Sequence, residues 1–193
     1  MARKFSIAAY DPAWEDEGLD WAQRVRDALN GLVLDIDHVG STAVPGLDAK
    51  NVIDIQALVF DLDEVAPIIA PMQAAGFRLR EAVTHDIVRP GYPDHSDQWE
   101  KLEFREPKDC RPVRVHVREF GAAGARVGLL LRDFLRADAI ARVEYAALKH
   151  GLARHVDSQE AYAALKRPWV AITLRLAEAW AERVRWRPGA GDA

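Results

Sequence analysis

The sequence has little cysteine, no long apolar run and no excess of basic residues, and each of these absences excludes a class of protein. Cys110 is the single cysteine, so no internal disulfide forms and a reducing, cytoplasmic location is expected. No apolar run approaches the ~18 residues of a membrane-spanning helix. The formal net charge is -4, whereas a general nucleic-acid coat normally shows a basic excess. We therefore expect a cytoplasmic protein that acts on neither membranes nor nucleic acid.

The sequence also contains no repeated unit of about 20–50 residues and no low-complexity linker, so nothing marks a boundary between domains. Its 193 residues are enough to bury a substantial core. We predict a single domain over 1–193, with a sheet-containing part over about 1–120 and a helical part over about 121–185.

Six segments are predicted as strands, either because apolar and polar residues alternate or because a short apolar run lies between turn signals. Alternation is clearest where valines are separated by Arg114, His116 and Arg118. The predicted strands are 4–9, 32–39, 52–60, 77–83, 101–106 and 113–119.

Five helices are predicted from apolar periodicity and end signals. Asp11 and Asp61 are the expected caps of the first two, and Pro168 is expected to kink or restart the last. The predicted helices are 11–31, 61–76, 127–137, 139–152 and 158–182. Together these elements predict an α/β fold, with a mixed sheet flanked by helices and a helical C-terminal part.

The alternating strands place basic side chains on one face of the predicted sheet, with Glu103 and His116 among them. If the strands are neighbours, these cations form a field suited to an anionic ligand. The alternative is an ordinary solvated strand face. The basic residues are Arg78, Arg80, Lys101, Arg105, Arg114 and Arg118.

The block DHVGSTAVPGLDAKNVIDIQ at 37–56 joins two predicted strands through a turn of small residues. Gly40 allows a close backbone approach, and Ser41 and Thr42 offer hydroxyl and N–H groups of the kind that hold phosphate. The same three residues also suit an ordinary turn. His38 is in phase with the apolar residues of its strand, so a semi-buried structural histidine is the alternative to a ligand contact.

Asp54 interrupts the apolar run of the second strand in this block. A buried carboxylate is costly unless it is paired, hydrogen-bonded or bound to a metal. Pairing with Lys50 or with an arginine of the sheet face is the structural alternative. The loop 84–98 is predicted to be a mobile lid, and Trp99 beside it is a candidate for stacking on a base.

These motifs resemble the GrpB family, which has a nucleotidyltransferase-like fold. The similarity extends over nearly the whole chain and is closest to the form fused behind dephospho-CoA kinase in actinobacteria, although no kinase P-loop is present. The stretches that carry it are YDPAW, DHVGSTAVPGLDAKNVIDI, RVHVRE, LLLRDFLRAD, YAALKHGLA and AYAALKRPWV.

The resemblance implies a Gly-Ser pair that holds a triphosphate, two carboxylates one residue apart on the next strand, and a third carboxylate on a later strand, together binding two divalent ions. Gly40 and Ser41 match the pair, and Asp54 matches the first carboxylate. Gln56 stands where the second is expected, and His116 where the third might lie, with Glu103 the only acid on the polar faces of the later strands.

Two interpretations remain open. In the first, the chain is a metal-assisted enzyme of the nucleotidyltransferase type that acts on a nucleotide or another anionic small molecule, with Mg²⁺ or Mn²⁺ at Asp54. In the second, it is a catalytically degenerate module that binds a nucleotide or coenzyme. The candidate catalytic residues are Asp54, His116 and Glu103. The candidate substrate-binding residues are His38, Gly40, Ser41, Thr42, Lys50, Arg114, Arg118, Arg132 and Lys166. The last two lie on predicted helices, where solvated side chains are the alternative.

Overall fold

A computed structural model of the chain describes residues 6–188 and contains a five-stranded mixed sheet in the order β1-β2-β5-β4-β3. β2 and β5 run parallel, and the other neighbouring pairs are antiparallel. The strands are β1 (Asp35–Val39), β2 (Ile53–Val59), β3 (Arg78–Leu79), β4 (Leu102–Arg105) and β5 (Val113–Glu119).

Five helices surround this sheet, together with a 3-10 turn at Ser96–Trp99. They are α1 (Ala13–Leu29), α2 (Ala66–Ala74), α3 (Ala123–Ala137), α4 (Ala139–His155) and α5 (Gln159–Val184). The predicted α/β architecture with a helical C-terminal part is therefore confirmed. Within the described part of the chain, no helix combines the length and the apolar character needed to cross a bilayer.

One face of the sheet forms the apolar core because every second strand residue is aliphatic or aromatic and points towards α1 and α2. Ile55, Phe104 and Val115 are fully buried on this face, and α1 adds Trp14 and Val25. Val115 pairs with both Ile55 and Phe104, so three strands present one continuous apolar surface. This packing fixes the strand register, since a shift of one residue would turn the charged side chains into the core.

The opposite face is polar. Its edge beside β3 is solvated, since the side chains of Arg78 and Arg80 are 60% and 43% exposed, but its centre is covered. The interpretation of an ordinary solvent-exposed face is therefore wrong for the centre of the sheet. Helix α3 contacts β1, β2 and β5, and α5 packs on α3. Consequently Lys101, Glu103 and Arg118 are only 6%, 6% and 7% exposed. A charged face beneath a helical layer needs ion pairs or ligands, because burial of an unpaired charge is costly.

Several element boundaries differ from the predictions for local reasons. Of the strand predicted at 4–9, the first residues lie outside the described part of the chain, and Ala8 forms a single bridge with Ala49. Asp61 accepts a hydrogen bond from the N–H of Asp63 in a turn, and α2 begins only at Ala66 with a proline in its first turn.

The predicted strand 77–83 shortens to Arg78–Leu79 because the chain turns at Arg80, whose carbonyl accepts from the N–H of Val83. Helix α5 continues through Pro168 without restarting. Asp11 lies just outside α1, and its side chain accepts a hydrogen bond from the N–H of Ala13 at 3.0 Å.

Gly18 in α1 gives a test of the packing between α1 and the sheet. A Cβ atom at this position would lie 2.2 Å from Nδ1 of His38, whose ring is buried. We expect Gly18→Ala to destabilise the fold by about 1–3 kcal/mol, because overpacking outweighs the gain in helix propensity. The free energy of unfolding, measured by urea denaturation, checks this.

Gly151→Ala in α4 is the matched control, since a Cβ there meets nothing within 4 Å. We expect it to leave the stability unchanged or to raise it by up to ~1 kcal/mol. If both alanine variants had the same stability, the proposed clash with His38 would be wrong.

Candidate anion-binding site

The bend after β1 lies directly against the carboxylate of β2. Val39 pairs with Asp54, and Gly40 has a φ of 75°, which glycine adopts without strain. A Cβ atom on Gly40 would lie 2.6 Å from Oδ2 of Asp54. Because Gly40 has no side chain, the bend lies close to the carboxylate of Asp54. Both line one cavity, together with Ser41.

This space is a cavity of about 330 Å³ between the polar sheet face and the helical layer. Its wall combines apolar side chains of α3 and α5 with polar side chains of the sheet and of loop 84–98. Its lining includes Ser41, Asp54, Asp86, Arg89, Trp99, His116, Arg118, Val127, Leu131, Arg132, Tyr145, Lys166 and Val170. We call it the larger cavity.

A second hollow of about 150 Å³ adjoins it and shares Ser41, Asp54 and Lys166 with it. Basic and hydroxyl side chains dominate its wall, and we call it the basic hollow. Its lining residues are Ser41, Thr42, Lys50, Val52, Asp54, Arg114, Lys149, Gln159, Tyr162, Ala163 and Lys166.

Four of these residues are basic, whereas Asp54 is the one carboxylate in the lining. Arg114 lies 3.9 Å from Asp54, too far for a hydrogen bond, and its buried Nε has no hydrogen-bond partner among residues 6–188. Lys149 donates to the main-chain oxygen of Asp48, and Lys50 donates to Gln159 at 3.1 Å. The basic hollow therefore carries an excess of positive charge.

The two helical lysines are each supported by a tyrosine one turn earlier. Lys149 lies 4.5 Å from the centre of the Tyr145 ring, and Lys166 lies 5.9 Å from that of Tyr162. Lys50 also lies over the Tyr162 ring, at 3.7 Å. An aromatic face attracts a cation, so these contacts stabilise the charged ammonium form of the lysines.

Burial and neighbouring positive charges lower the pKa values of two of these lysines. Burial lowers the pKa of Lys149 to about 7, with a further contribution from the charge of Lys166. Burial also lowers the pKa of Lys50 to about 8, again with the charges of Lys166 and Arg114. An anion bound among these groups would raise the pKa values of both lysines, because it stabilises their protonated forms.

Asp54 connects the basic hollow to His116, whose side chain is 13% exposed. Burial alone would raise the pKa of Asp54, but the neighbouring His116 ring and the charge of Arg114 lower it below its usual value. Burial and the charge of Arg118 lower the pKa of His116, so its ring is neutral at pH 7. Asp54 is therefore an ionised carboxylate at the edge of both cavities.

The tautomer of His116 follows from its neighbours. The ammonium of Lys101 can only donate, and it lies 3.4 Å from Nδ1. The proton of the neutral ring is therefore on Nε2, which lies 3.6 Å from Oδ1 of Asp54. Behind the ring, Glu103 lies 3.8 Å from Nδ1 and 3.5 Å from Lys101. Glu103 thus contacts both Lys101 and His116 from within the sheet. It lines neither cavity.

Gln56 occupies the second carboxylate position with a structural role of its own. It is fully buried, its amide nitrogen donates to the carbonyl of Ala125 at 3.2 Å, and its oxygen accepts from Arg118 at 2.8 Å. A carboxylate could not donate to Ala125. Among residues 6–188, no three or more His, Cys, Asp or Glu side chains are grouped to hold a metal ion. The residues present therefore do not fit a two-metal site.

Three other candidate residues lie away from the basic hollow or are already paired. His38 points to the α1 face of the sheet, where its Nε2 lies 2.9 Å from Oγ1 of Thr42, and it lines neither of the two cavities. Arg132 is bound to Asp37 at 2.9 Å, and Arg118 to Asp86 at 2.8 Å. These two arginines line the larger cavity and hold its walls together.

The sequence contains a signal for Lys149 that composition and strand patterning do not reveal. The pentapeptide Tyr-Ala-Ala-Leu-Lys occurs twice, at 145–149 and at 162–166. The tyrosine and lysine of each copy are four residues apart and so share one helix face. Both copies converge on the basic hollow, although only Lys166 was expected there. Arg89 was also missed, since nothing in its loop marks it.

Known proteins with similar sequences include two kinds of curated relative. A family model described as GrpB protein matches residues 4–175. A dephospho-CoA kinase of Mycolicibacterium paratuberculosis is 35% identical over 92% of this chain and 47% of its own length. A UPF0157 protein of Streptomyces coelicolor is 37% identical over 78% of this chain and 72% of its own length. The chain thus spans about half the length of the dephospho-CoA kinases that it matches.

Solved structures show the same fold. GrpB from Enterococcus faecalis matches with a TM-score of 0.71 at 24% identity, over 94% of this chain and 100% of that one. Cid1 in complex with its short product ApU matches with a TM-score of 0.51 at 15% identity, over 77% of this chain and 43% of that one. At these identities the likeness shows the fold alone, and it confirms the predicted nucleotidyltransferase-like architecture.

Gln56→Glu tests whether residue 56 is structural. The replacement keeps the shape but turns a buried donor into an acceptor facing the Ala125 carbonyl. We expect a loss of about 1–3 kcal/mol in the free energy of unfolding at pH 7, the usual cost of an unsatisfied buried polar group. Urea denaturation measures it.

Gln73→Glu makes the same chemical change at an exposed position of α2. We expect its effect to be within about 0.5 kcal/mol. Equal stabilities for the two variants would show that the hydrogen bond from Gln56 to Ala125 is dispensable.

Proposed function

The chain belongs to the GrpB family, and on this premise we propose that it binds a phosphorylated small molecule of the nucleotide class, with a phosphate group in the basic hollow. The observation that carries this proposal is the convergence of Lys50, Arg114, Lys149 and Lys166 on one hollow beside Ser41. Four basic groups beside a single carboxylate repel one another when they are partly desolvated. A bound oxyanion would offset the free-energy cost of this repulsion.

The shape of the site favours an organic phosphate over inorganic phosphate. The basic hollow opens into the larger cavity, whose volume of about 330 Å³ lies within the usual range for small-molecule sites. Val127, Leu131 and Val170 supply apolar wall there. A phosphate held near Ser41 and Lys166 would have room beside it for a sugar and a base.

The residues support binding more strongly than metal-assisted transfer. Asp54 is one of the three carboxylates that the two-metal arrangement requires, and Gln56 is committed to Ala125 and Arg118. Arg114 and Lys166 supply positive charge in the same hollow as Asp54. Mg²⁺ or Mn²⁺ at Asp54 remains a prediction, and an ionised carboxylate at the cavity edge is the observation that favours it.

The relatives suggest which organic phosphates to try first. The dephospho-CoA kinase of Mycolicibacterium paratuberculosis contains a region like this chain in about half of its length. Fusion of two regions in one protein is commonly found where they share a substrate or product. Adenine nucleotides and coenzyme A are therefore the first candidate ligands, and we propose a coenzyme- or nucleotide-binding module as the role of this domain.

Lys166→Gln tests the basic hollow, because this lysine lines both cavities. We expect wild-type protein to bind at least one of AMP, ATP and coenzyme A by isothermal titration calorimetry. We expect the variant to bind that probe about 10- to 100-fold more weakly, as for the loss of a charged hydrogen bond.

Lys108→Gln, which removes an exposed lysine outside both cavities, is the control and is expected to leave the affinity unchanged. Titrations with Mg²⁺, with Mn²⁺ and with a chelator separate the two candidate functions. Affinity that requires metal would favour the enzyme, and metal-independent affinity the binding module. If no probe binds, or if Lys166→Gln binds as wild type does, the proposal is wrong.

The acidity of the lysines predicts the pH dependence of binding. Lys149 and Lys50 have pKa values of about 7 and about 8 in the free protein, and an anion stabilises their protonated forms. We therefore expect affinity to fall as the pH rises from about 7 to about 9, where both lysines become neutral.

The same linkage predicts proton uptake on binding between pH 7 and 8. Calorimetry in buffers of different ionisation enthalpy measures it directly. Lys149→Gln should reduce this uptake, while Lys108→Gln should not. Binding with no proton uptake in this range would contradict the assigned pKa values.

A further inference from the structure

Loop 84–98 is fixed to the polar sheet face at its first part. Asp86 accepts from Lys101 at 2.8 Å and from Arg118 at 2.8 Å, and both of these basic side chains are buried. A carboxylate that pairs two buried cations is costly to withdraw. Loop 84–98 was predicted to be a mobile lid, but its first part is anchored to the sheet through Asp86.

The second part of the loop is also fixed. The Tyr92 hydroxyl donates to Glu178 of α5 at 2.7 Å, and the indole N–H of Trp99 donates to the carbonyl of Pro93 at 2.7 Å. Trp99 is 1% exposed and packs edge-on against Tyr92. Position 89 lies between these two anchors, so the loop holds Arg89 at a defined place on the wall of the larger cavity.

Arg89 differs from the other arginines of this cavity. Arg118 and Arg132 are paired with carboxylates. The Arg89 side chain forms no hydrogen bond or ion pair with any residue of 6–188, and its Nε atom is buried without a partner. Burial lowers its pKa, an effect that the charge of Asp86 only partly opposes. A guanidinium that is only partly compensated in a cavity wall costs stability, and such a cost is typical of a group kept for a ligand.

We infer that Arg89 is a ligand-binding residue that contacts a second anionic group of the bound molecule, in addition to the phosphate in the basic hollow. This inference rests on the proposed function and narrows it: the ligand is an organic phosphate with at least two anionic groups, such as a nucleoside polyphosphate or bisphosphate. The planar guanidinium of arginine suits phosphate oxygens.

The test compares Arg89→Gln with wild type for three probes: AMP, ATP and adenosine 3′,5′-bisphosphate. We expect the variant to bind ATP or the bisphosphate at least ~10-fold more weakly, because a charged hydrogen bond is lost, while its affinity for AMP changes by less than about 2-fold. Arg89→Lys should recover part of the loss. Arg175→Gln, which removes an exposed arginine outside the cavity, is the matched control.

A stability measurement separates ligand binding from a structural role. Because no side chain of residues 6–188 forms a hydrogen bond or ion pair with the Arg89 guanidinium, we expect ligand-free Arg89→Gln to melt at the same temperature as wild type or higher. A lower melting temperature, unchanged affinity for all three probes, or an equal loss for AMP would each overturn the inference. In those cases binding of AMP that depends on Lys166 would leave the proposed function standing. A wild-type protein that binds none of the probes would overturn both.

Discussion

The packing of a helical layer on a charged sheet face is the constraint on which the rest of the structure depends. Every second residue of β4 and β5 is ionisable, and Glu103 and Arg118 among them are only 6% and 7% exposed. Charges in such a place must be paired, hydrogen-bonded or bound to a ligand. Glu103, Lys101, Asp86 and Arg118 satisfy one another in a continuous network. Among the basic groups outside this network, Arg89, Arg114, Lys149 and Lys166 line the two cavities.

The same constraint explains the glutamine at position 56. It lies between a cation and a carbonyl, and an amide can accept from Arg118 while it donates to Ala125. A carboxylate would satisfy the first contact and oppose the second. Gln56 therefore fixes α3 to the sheet, and a change from acid to amide at this position exchanges a metal ligand for a helix anchor. Gly128 takes part, since a Cβ there would lie 3.1 Å from the Gln56 oxygen.

Much of the fold could be predicted from the sequence because strand alternation is a local signal. The valines of β5 and the aliphatic run of β2 gave correct strands. The association of Gly40 with Asp54 was implied by the resemblance to the GrpB family, and a Cβ atom on Gly40 would lie 2.6 Å from Oδ2 of Asp54. The covering of the polar face could not be predicted in this way, because it depends on how α3 and α5 return over the sheet. For the same reason Arg132 was recognised as a candidate contact, but its pairing with Asp37 was not.

The basic hollow shows how a repeated short motif can carry information that strand patterning does not. Two copies of Tyr-Ala-Ala-Leu-Lys lie on successive helices, and each places a lysine one turn after a tyrosine. Since Tyr145 is stacked on Trp169 at 4.1 Å, the aromatic support of Lys149 is itself rigid. Fixed cations of this kind provide positive charge without a bound ion, and their pKa values near neutrality make that charge responsive to an anion. In this nucleotidyltransferase-like fold Gln56 occupies the position of the second strand carboxylate, and the hollow beside it concentrates positive charge on side chains.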